Sequence, residues 1–220
     1  MNKIFVGYDS NQILPFEVCK FSLSPHYVNP VKLSELAVYN RTDINASTEF
    51  SLTRFLVPYL SNYEGWSIFC DSDFLWLADP NELFELCDDR YTVMVVKHDY
   101  TPKTRYKMNS KYQHVYPRKN WSSLMLFNNS KCKQLTPDVI NLALPEYLHR
   151  FRWTSDDEIG SLPHEFNWLV GYYTETPTSK PKALHYTDGG PWHKGYENCE
   201  YNEIWTSKYN EMCHSLVHAT

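Results

Sequence analysis

The sequence predicts an α/β fold, a single Rossmann-like domain in which a mainly parallel central sheet is flanked by helices. Short apolar runs alternate with segments of helical periodicity through the first half of the chain, an order typical of doubly wound sheets. The 220 residues are enough for one well-packed core. We therefore treat residues 1–220 as one domain.

The predicted strands are brief apolar runs bounded by polar residues. They are Lys3–Gly7, Val31–Tyr39, Trp66–Cys70, Thr92–Lys97, Ser123–Asn128 and Lys182–Tyr186. Sheets of this class bind ligands beyond the carboxyl ends of their strands. Asp9 and Asp71 follow two such ends, which marks both as candidate site residues.

The predicted helices follow the spacing of apolar residues at three to four positions. They cover Gln12 to Leu23, Phe50–Tyr63, Asn81–Cys87, Pro137–His149, Asp156–Leu162 and a terminal segment from Tyr201 to Leu216. Pro58 falls inside the second of them and requires an early-turn position or a kink. The polar stretch Asp99–Asn120 is predicted to be a long loop that could cover a site.

Composition excludes several classes of protein. A net charge of -5 argues against a nucleic-acid-binding surface. The 6 cysteines are scattered without a Cys-x-x-Cys pair, which predicts reduced thiols and no zinc site. No signal peptide and no membrane-spanning run is present, so we expect a soluble, cytoplasmic protein. Both a free-standing domain and one unit of a longer multidomain protein fit the sequence.

The central chemical signal is Asp71-Ser72-Asp73, directly after the predicted strand Trp66–Cys70. Strand alternation would place both carboxylates on the same side. Hard oxygen ligands of this kind suit Mg²⁺ or Mn²⁺ shared with substrate phosphates. Apolar flanks would bury the pair, and two adjacent carboxylates repel each other unless a cation compensates. A solvated turn is the alternative.

The block from Ser67 to Pro80 resembles the Asp-x-Asp region of GT-A glycosyltransferases, in particular the glycogenin-like family 8, and the likeness extends over most of the chain. Three further motifs are similar, each with one departure. They are Asn120–Asn128 with Ser123 in place of a Gly, Ser155–Ile159 with Asp157 in place of a Gln, and Leu184–Lys194 with Gly190 in place of a Lys. In general character the chain is also similar to glycosyltransferase domains that large algal viruses of the chlorella virus kind encode, which would place it in the host cytoplasm.

The resemblance implies a metal-dependent enzyme that moves a hexose from a nucleotide diphosphate sugar, a UDP-sugar above all, to a hydroxyl of a glycan or glycoprotein. Mn²⁺ or Mg²⁺ would be held by Asp71, Asp73 and His185. The donor would be bound by Asp71 and by a further set of residues. These are Asp9 at the base, Arg54 and Lys194 at the diphosphate, and Gly189.

The resemblance also bears on stereochemistry. Inverting GT-A enzymes use a carboxylate near the start of a comparable helix as general base for the acceptor hydroxyl, and Asp157 or Asp156 matches that place. Retaining relatives need no such base, and both carboxylates would equally serve as favourable charges in the first turn of a helix. Trp121 or Trp192 is a candidate platform for the sugar, although either ring suits a core equally well.

Each donor or metal residue has an ordinary structural alternative. Asp9 suits the N-terminal cap of a helix, Arg54 a solvated helix face, and His185 a core position. Two other functions stay open. A nucleotidyltransferase would also pair carboxylates with phosphates, but Gly7-Tyr8-Asp9-Ser10 is not the glycine-rich basic loop expected of one. A noncatalytic carbohydrate-binding domain would be marked by loss of the Asp71 and Asp73 pair, which is intact.

Overall fold

The computed structural model describes residues 2–42, 46–99, 101 and 117–218. Strands in this part of the chain are β1 (Lys3–Tyr8), β2 (Val28–Lys32), β3 (Trp66–Cys70), β4 (Phe74–Trp76), β5 (Val93–Val95), β6 (Leu124–Asn128), β7 (Ile159–Ser161), β8 (Trp168–Leu169) and β9 (Ala183–His185). The α-helices are α1 (Ile13–Ser22), α2 (Val57–Leu60), α3 (Asn81–Phe84), α4 (Pro137–Leu142), α5 (Pro145–His149) and α6 (Asn202–His218).

The central sheet has six strands in the order β2-β1-β3-β6-β5-β7. β1 is parallel to β2 and β3, and β5 is parallel to β7, whereas β6 runs antiparallel to both of its neighbours. A smaller sheet has the order β4-β9-β8. The predicted α/β class with a mainly parallel sheet is confirmed, with one strand reversed.

Alternate side chains of the central strands enter two different cores. Phe69 of β3 packs in one hydrophobic cluster, while Ile68 and Cys70 pack in the other. Phe5 of β1 belongs with Phe69, and all these side chains are at most 3% exposed. A strand that is apolar on both faces must be covered on both sides, which is why these runs lack polar alternation.

The connection from β3 of the central sheet to β4 of the smaller sheet positions the candidate site. β3 ends at Cys70, and the backbone N–H of Asp71 donates to the carbonyl of Ser123 at 2.9 Å. β4 begins at Phe74 and pairs antiparallel with β9, so that Phe74 lies opposite His185. The Asp71–Asp73 connection therefore faces the last residue of β9.

Two predicted elements are wrong. The strand predicted over Val31–Tyr39 is replaced by β2, which ends at Lys32, and a 3-10 helix at Leu33–Glu35. The helix predicted over Asp156–Leu162 is a 3-10 turn, Asp156–Glu158, followed by β7. β7 can lie against β5 because Gly160 has no side chain. A Cβ at this position would lie 2.6 Å from the ring of Tyr91.

Other predicted elements differ in extent. Pro145 divides the segment Pro137–His149 into two helices, α4 and α5, and each begins with its proline at the first turn. Pro58 likewise occupies the first turn of α2. Most of the predicted loop Asp99–Asn120 lies outside the described residues. Among the described helices, none combines the length and apolar character that a bilayer crossing requires.

Candidate active site

Asp71, Asp73 and His185 form a cluster in which one ligand atom from each lies within 4.8 Å of the others. Oδ1 of Asp73 is 3.5 Å from Nε2 of His185. The Asp73 side chain is 16% exposed and that of His185 is 2% exposed, so the cluster opens to solvent through its carboxylates. Two carboxylates and one imidazole are a donor set that suits Mn²⁺, with positions left for phosphate oxygens.

Two contacts fix the orientation of the His185 imidazole, one on its face and one at its Nδ1. Its ring stacks on Phe74 with centroids 4.5 Å apart and planes inclined by 20°. Its Nδ1 lies 2.8 Å from Oδ1 of Asn167, a fully buried side chain. The amide nitrogen of Asn167 in turn donates to the hydroxyl of Ser123 at 2.9 Å.

Arg54 is a buried cation beside the cluster. Its Nη1 lies 2.7 Å from Oδ1 of Asp71 and 2.8 Å from the carbonyl oxygen of Ser122. Its guanidinium carbon is 5.2 Å from the ring centroids of Phe50 and Phe69. With 5% of its surface exposed, Arg54 is not the solvated arginine of the alternative interpretation. It offsets part of the repulsion between the two carboxylates.

Asp9 follows β1 at the same edge of the sheet as Asp71, because β1 and β3 are parallel neighbours. Its Oδ1 accepts hydrogen bonds from the backbone and side-chain nitrogens of Asn11, at 2.9 and 3.0 Å. Asp9 therefore holds the turn before α1 and does not cap the helix, because the N-cap of α1 is Gln12 and has no side-chain hydrogen bond. A contact with the nucleotide base stays a prediction.

Gly189 and Lys194 lie in the segment after β9. Gly189 has a φ of +139°, and its N–H donates to the carbonyl of Tyr186 at 2.9 Å. Lys194 is exposed, five positions along the chain. Their proposed contacts with phosphate stay predictions.

Asp156 and Asp157 lie in the exposed 3-10 turn before β7, in place of the helix that was expected there. Oδ1 of Asp156 pairs with Nη2 of Arg118 at 2.6 Å, and its side chain is 80% exposed. Hydrogen bonds from Ser155 and then Thr154 lower the pKa of Glu158 in the same turn. Both carboxylates lie at the surface, and the catalytic role of Asp156 or Asp157 stays a prediction.

The two candidate sugar platforms both lie at the edge of a hydrophobic cluster. Trp192 is half-buried and packs against Tyr186 and Trp205, with centroids 5.6 and 5.1 Å away. Trp121 is partly exposed, and its indole N–H donates to the carbonyl of His98 at 3.1 Å. Both rings are half-buried, so the choice of sugar platform stays a prediction.

Sequence reasoning missed Asn167 and the environment of His98. Nδ1 of His98 lies 2.6 Å from the hydroxyl of Tyr173, and burial lowers the pKa of His98 to about 3. Its imidazole is therefore neutral at physiological pH. An amide inside the apolar run Phe166-Asn167-Trp168-Leu169 was the available signal for Asn167, because a buried amide needs partners.

The chain is 44% identical over 223 residues to Protein CDI of Arabidopsis thaliana, and the match covers 95% of this chain and 86% of that protein. No protein-family model matches the chain. Its fold is similar to that of the WbbM bifunctional glycosyltransferase, with a TM-score of 0.65, 15% identity and coverage of 94% of this chain. The chain spans 49% of the WbbM structure, about half of its length.

The galactosyltransferase LgtC, solved in complex with donor and acceptor sugar analogs, is similar over its whole length. The TM-score is 0.59 at 12% identity, with 96% of each chain covered. Likeness at such low identity establishes the GT-A fold. It leaves the chemistry to be argued from the residues of this chain.

Proposed function

This chain belongs to the Protein CDI family, and we propose that it is a metal-dependent glycosyltransferase. The proposed reaction moves a hexose from a nucleotide diphosphate sugar, preferably a UDP-sugar, to a hydroxyl of a glycan or glycoprotein. The observation that carries the proposal is the cluster of Asp71, Asp73 and His185 at the carboxyl end of β3. In a GT-A fold this edge of the sheet is where a nucleotide ligand is expected.

The residues present fit a divalent metal. Asp71, Asp73 and His185 would hold Mn²⁺ or Mg²⁺, which when bound supplies positive charge to the diphosphate leaving group. The argument for the metal comes from the donor set, since two close carboxylates share a partly buried site with an imidazole.

The chain's own residues would orient the donor around that site. Arg54 holds Asp71 through the 2.7 Å ion pair and presents a permanent positive charge beside the phosphates. We assign Lys194 and Gly189 to the diphosphate, and Asp9 to the nucleotide base. Groups preorganised in a partly dry cleft stabilise developing charge better than water does, since they need no reorientation.

We assign the acceptor side to the turn before β7. In an inverting reaction, Asp157 or Asp156 would take the proton of the acceptor hydroxyl as it attacks. Asp157 is the better candidate because Asp156 is paired with Arg118 at 2.6 Å. A retaining reaction would need neither residue. Residues 1–220 as one GT-A domain, the cytoplasmic location and a viral source stay predictions.

A thermal-shift screen tests the proposal. UDP-, GDP- and dTDP-sugars are each added with and without Mn²⁺. We expect one nucleotide class to raise the melting temperature only when Mn²⁺ is present, and Asp73→Ala to abolish this shift. Asp79→Ala is the matched control, since Asp79 lies in the same segment with a 55% exposed side chain. A wild-type shift that is the same without Mn²⁺ would contradict the metal site.

A further inference from the structure

Three side chains form a continuous hydrogen-bond chain behind the candidate metal site. Nδ1 of His185 contacts Oδ1 of Asn167 at 2.8 Å, and Nδ2 of Asn167 contacts Oγ of Ser123 at 2.9 Å. Oγ of Ser123 contacts the backbone carbonyl of Asn120 at 2.7 Å. Asn167 is 0% exposed, and Ser123 and His185 are 3% and 2% exposed, so water competes little for these bonds.

The direction of this chain is fixed at its far end. A carbonyl oxygen can only accept, so the single hydroxyl proton of Ser123 goes to Asn120. The hydroxyl oxygen must then accept from Asn167, which requires the amide nitrogen on that side. The amide oxygen is left facing His185, and the imidazole must carry its proton on Nδ1. Each assignment follows from the one before it.

We propose that Asn167, oriented by Ser123, is a positioning residue that holds His185 in the tautomer whose unprotonated Nε2 faces Asp73 as a metal ligand. A neutral imidazole binds a metal through an unprotonated nitrogen, and the bond made by its other nitrogen decides which one that is. The inference rests on the metal site of the proposed function. It names an amide and a hydroxyl that set the metal affinity of that site.

The same chain ties the two sides of the cluster together. The carbonyl of Ser123 accepts the backbone N–H of Asp71 at 2.9 Å, while its hydroxyl holds Asn167. Ser123 stands where the family motif that it resembles has a glycine, which has no hydroxyl to orient the amide. Asn167 is brought into place by the 3-10 helix His164–Asn167 and by β8, which pairs with β9.

The test measures Mn²⁺ binding to the purified protein without nucleotide, by the loss of the free-ion electron paramagnetic resonance signal. Removing an outer partner of a metal-bound histidine typically weakens metal binding about 10- to 100-fold. We expect a loss in this range for Asn167→Ala. Asn167→Asp keeps an oxygen acceptor facing Nδ1. The Ser123 hydroxyl can turn from Asn120 to donate to the second carboxylate oxygen, so Mn²⁺ affinity should stay within a few-fold of the wild type. Ser123→Ala, which frees the amide to rotate, should weaken Mn²⁺ binding less than Asn167→Ala does.

Asn129→Ala is the matched control. Asn129 is also 0% exposed, and its Nδ2 donates to the hydroxyl of Ser67 at 2.8 Å. It follows β6, whereas Ser123 precedes that strand, so the two lie at opposite ends of β6. Its loss removes a similar buried amide without touching the cluster, so Mn²⁺ affinity should not change. Melting temperatures measured without metal separate loss of fold from loss of affinity.

A double-mutant cycle gives the sharpest outcome. If Asn167 acts through His185, Asn167→Ala should have no further effect on Mn²⁺ binding in a His185→Ala background. An equal loss in both backgrounds, or wild-type affinity in Asn167→Ala, would overturn the positioning role while leaving the metal site intact. If Asn167→Ala does not fold, a tenfold loss in Asn167→Asp with none in Ser123→Ala overturns it. A wild-type protein that binds no Mn²⁺ overturns both the metal site and this inference.

Discussion

Two arginine–aspartate pairs of nearly equal length lie in different surroundings. Arg54 and Asp71 are 2.7 Å apart with side chains 6% and 17% exposed. Arg118 and Asp156 are 2.6 Å apart with side chains 21% and 80% exposed. The two pairs have almost the same N–O distance and differ in how far their side chains are exposed to solvent. Water screens the second pair and solvates either partner when the other is lost, whereas the first pair has little access to water.

The comparison separates the two groups of candidate carboxylates. Asp71 belongs to a preorganised cluster with a neighbouring carboxylate, a buried arginine and a buried imidazole. Asp156 lies in an exposed turn, and a mobile acceptor could approach its neighbour Asp157 from solvent. Groups that hold a metal benefit from rigid surroundings, while a base for an incoming hydroxyl must be reachable.

Breaking the buried pair should have the largest effect. Arg54→Met removes the cation that pairs with Asp71 at 2.7 Å, and loss of one partner of a buried ion pair costs about 3 to 5 kcal/mol. Urea unfolding in the presence of EDTA measures this loss of unfolding free energy. Mn²⁺ should then stabilise the variant more than the wild type, because the metal replaces the missing charge.

Arg118→Met is the matched control for that experiment. It removes the exposed pair and should cost at most about 1 kcal/mol. Equal losses in the two variants would show that burial does not separate the pairs, and the comparison would fail.

The second prediction concerns activity. With an inverting reaction, Asp157→Asn should lower the rate constant kcat by at least about 100-fold, the low end of general-base contributions. Asp156→Asn removes a carboxylate already paired with Arg118 and should lower kcat only a few-fold. Product analysis by NMR gives the anomeric configuration alongside the rates. A fully active Asp157→Asn enzyme would remove this residue as base.

The sequence predicted the elements whose signal is local. β3 was predicted with its observed bounds, because Trp66–Cys70 is an apolar run that stops at a carboxylate. The class of fold and the grouping of Asp71 with Asp73 required only such local patterns. The grouping with His185 came from family resemblance, and the register of β4 with β9 accounts for it.

Elements that depend on tertiary contacts were missed. β7 was predicted as helix because Asp156-Asp157-Glu158 suits a first helical turn. Its strand conformation depends on Gly160 against Tyr91 and Met94, which no local pattern shows. The role inferred for Asn167 likewise depends on the pairing of β8 with β9. These strands have 2 and 3 residues. Strands this short carry almost no periodicity.

The prediction with the smallest expected effect concerns the protonation of the buried His98, with Glu158 as the comparison. His98 has a pKa of about 3 in the folded protein, mainly because burial disfavours its charged form, against an ordinary value of 6.5. Below pH 6.5 the unfolded chain therefore binds a proton that the folded chain does not, and stability falls as pH falls towards 3. Between pH 7 and pH 5 this one group should remove about 2 kcal/mol of unfolding free energy.

The Glu158 carboxylate affects stability in a different pH window. Its pKa lies below its ordinary value of 4.5, so its contribution is present above that pH and is lost as pH falls through the lowered pKa. Urea unfolding of the wild type and of His98→Gln at pH 7 and pH 5 therefore isolates the histidine. We expect His98→Gln to lose less stability than the wild type over this interval. The same loss in both proteins would mean that His98 takes up its proton in the folded state, and burial would not control its charge.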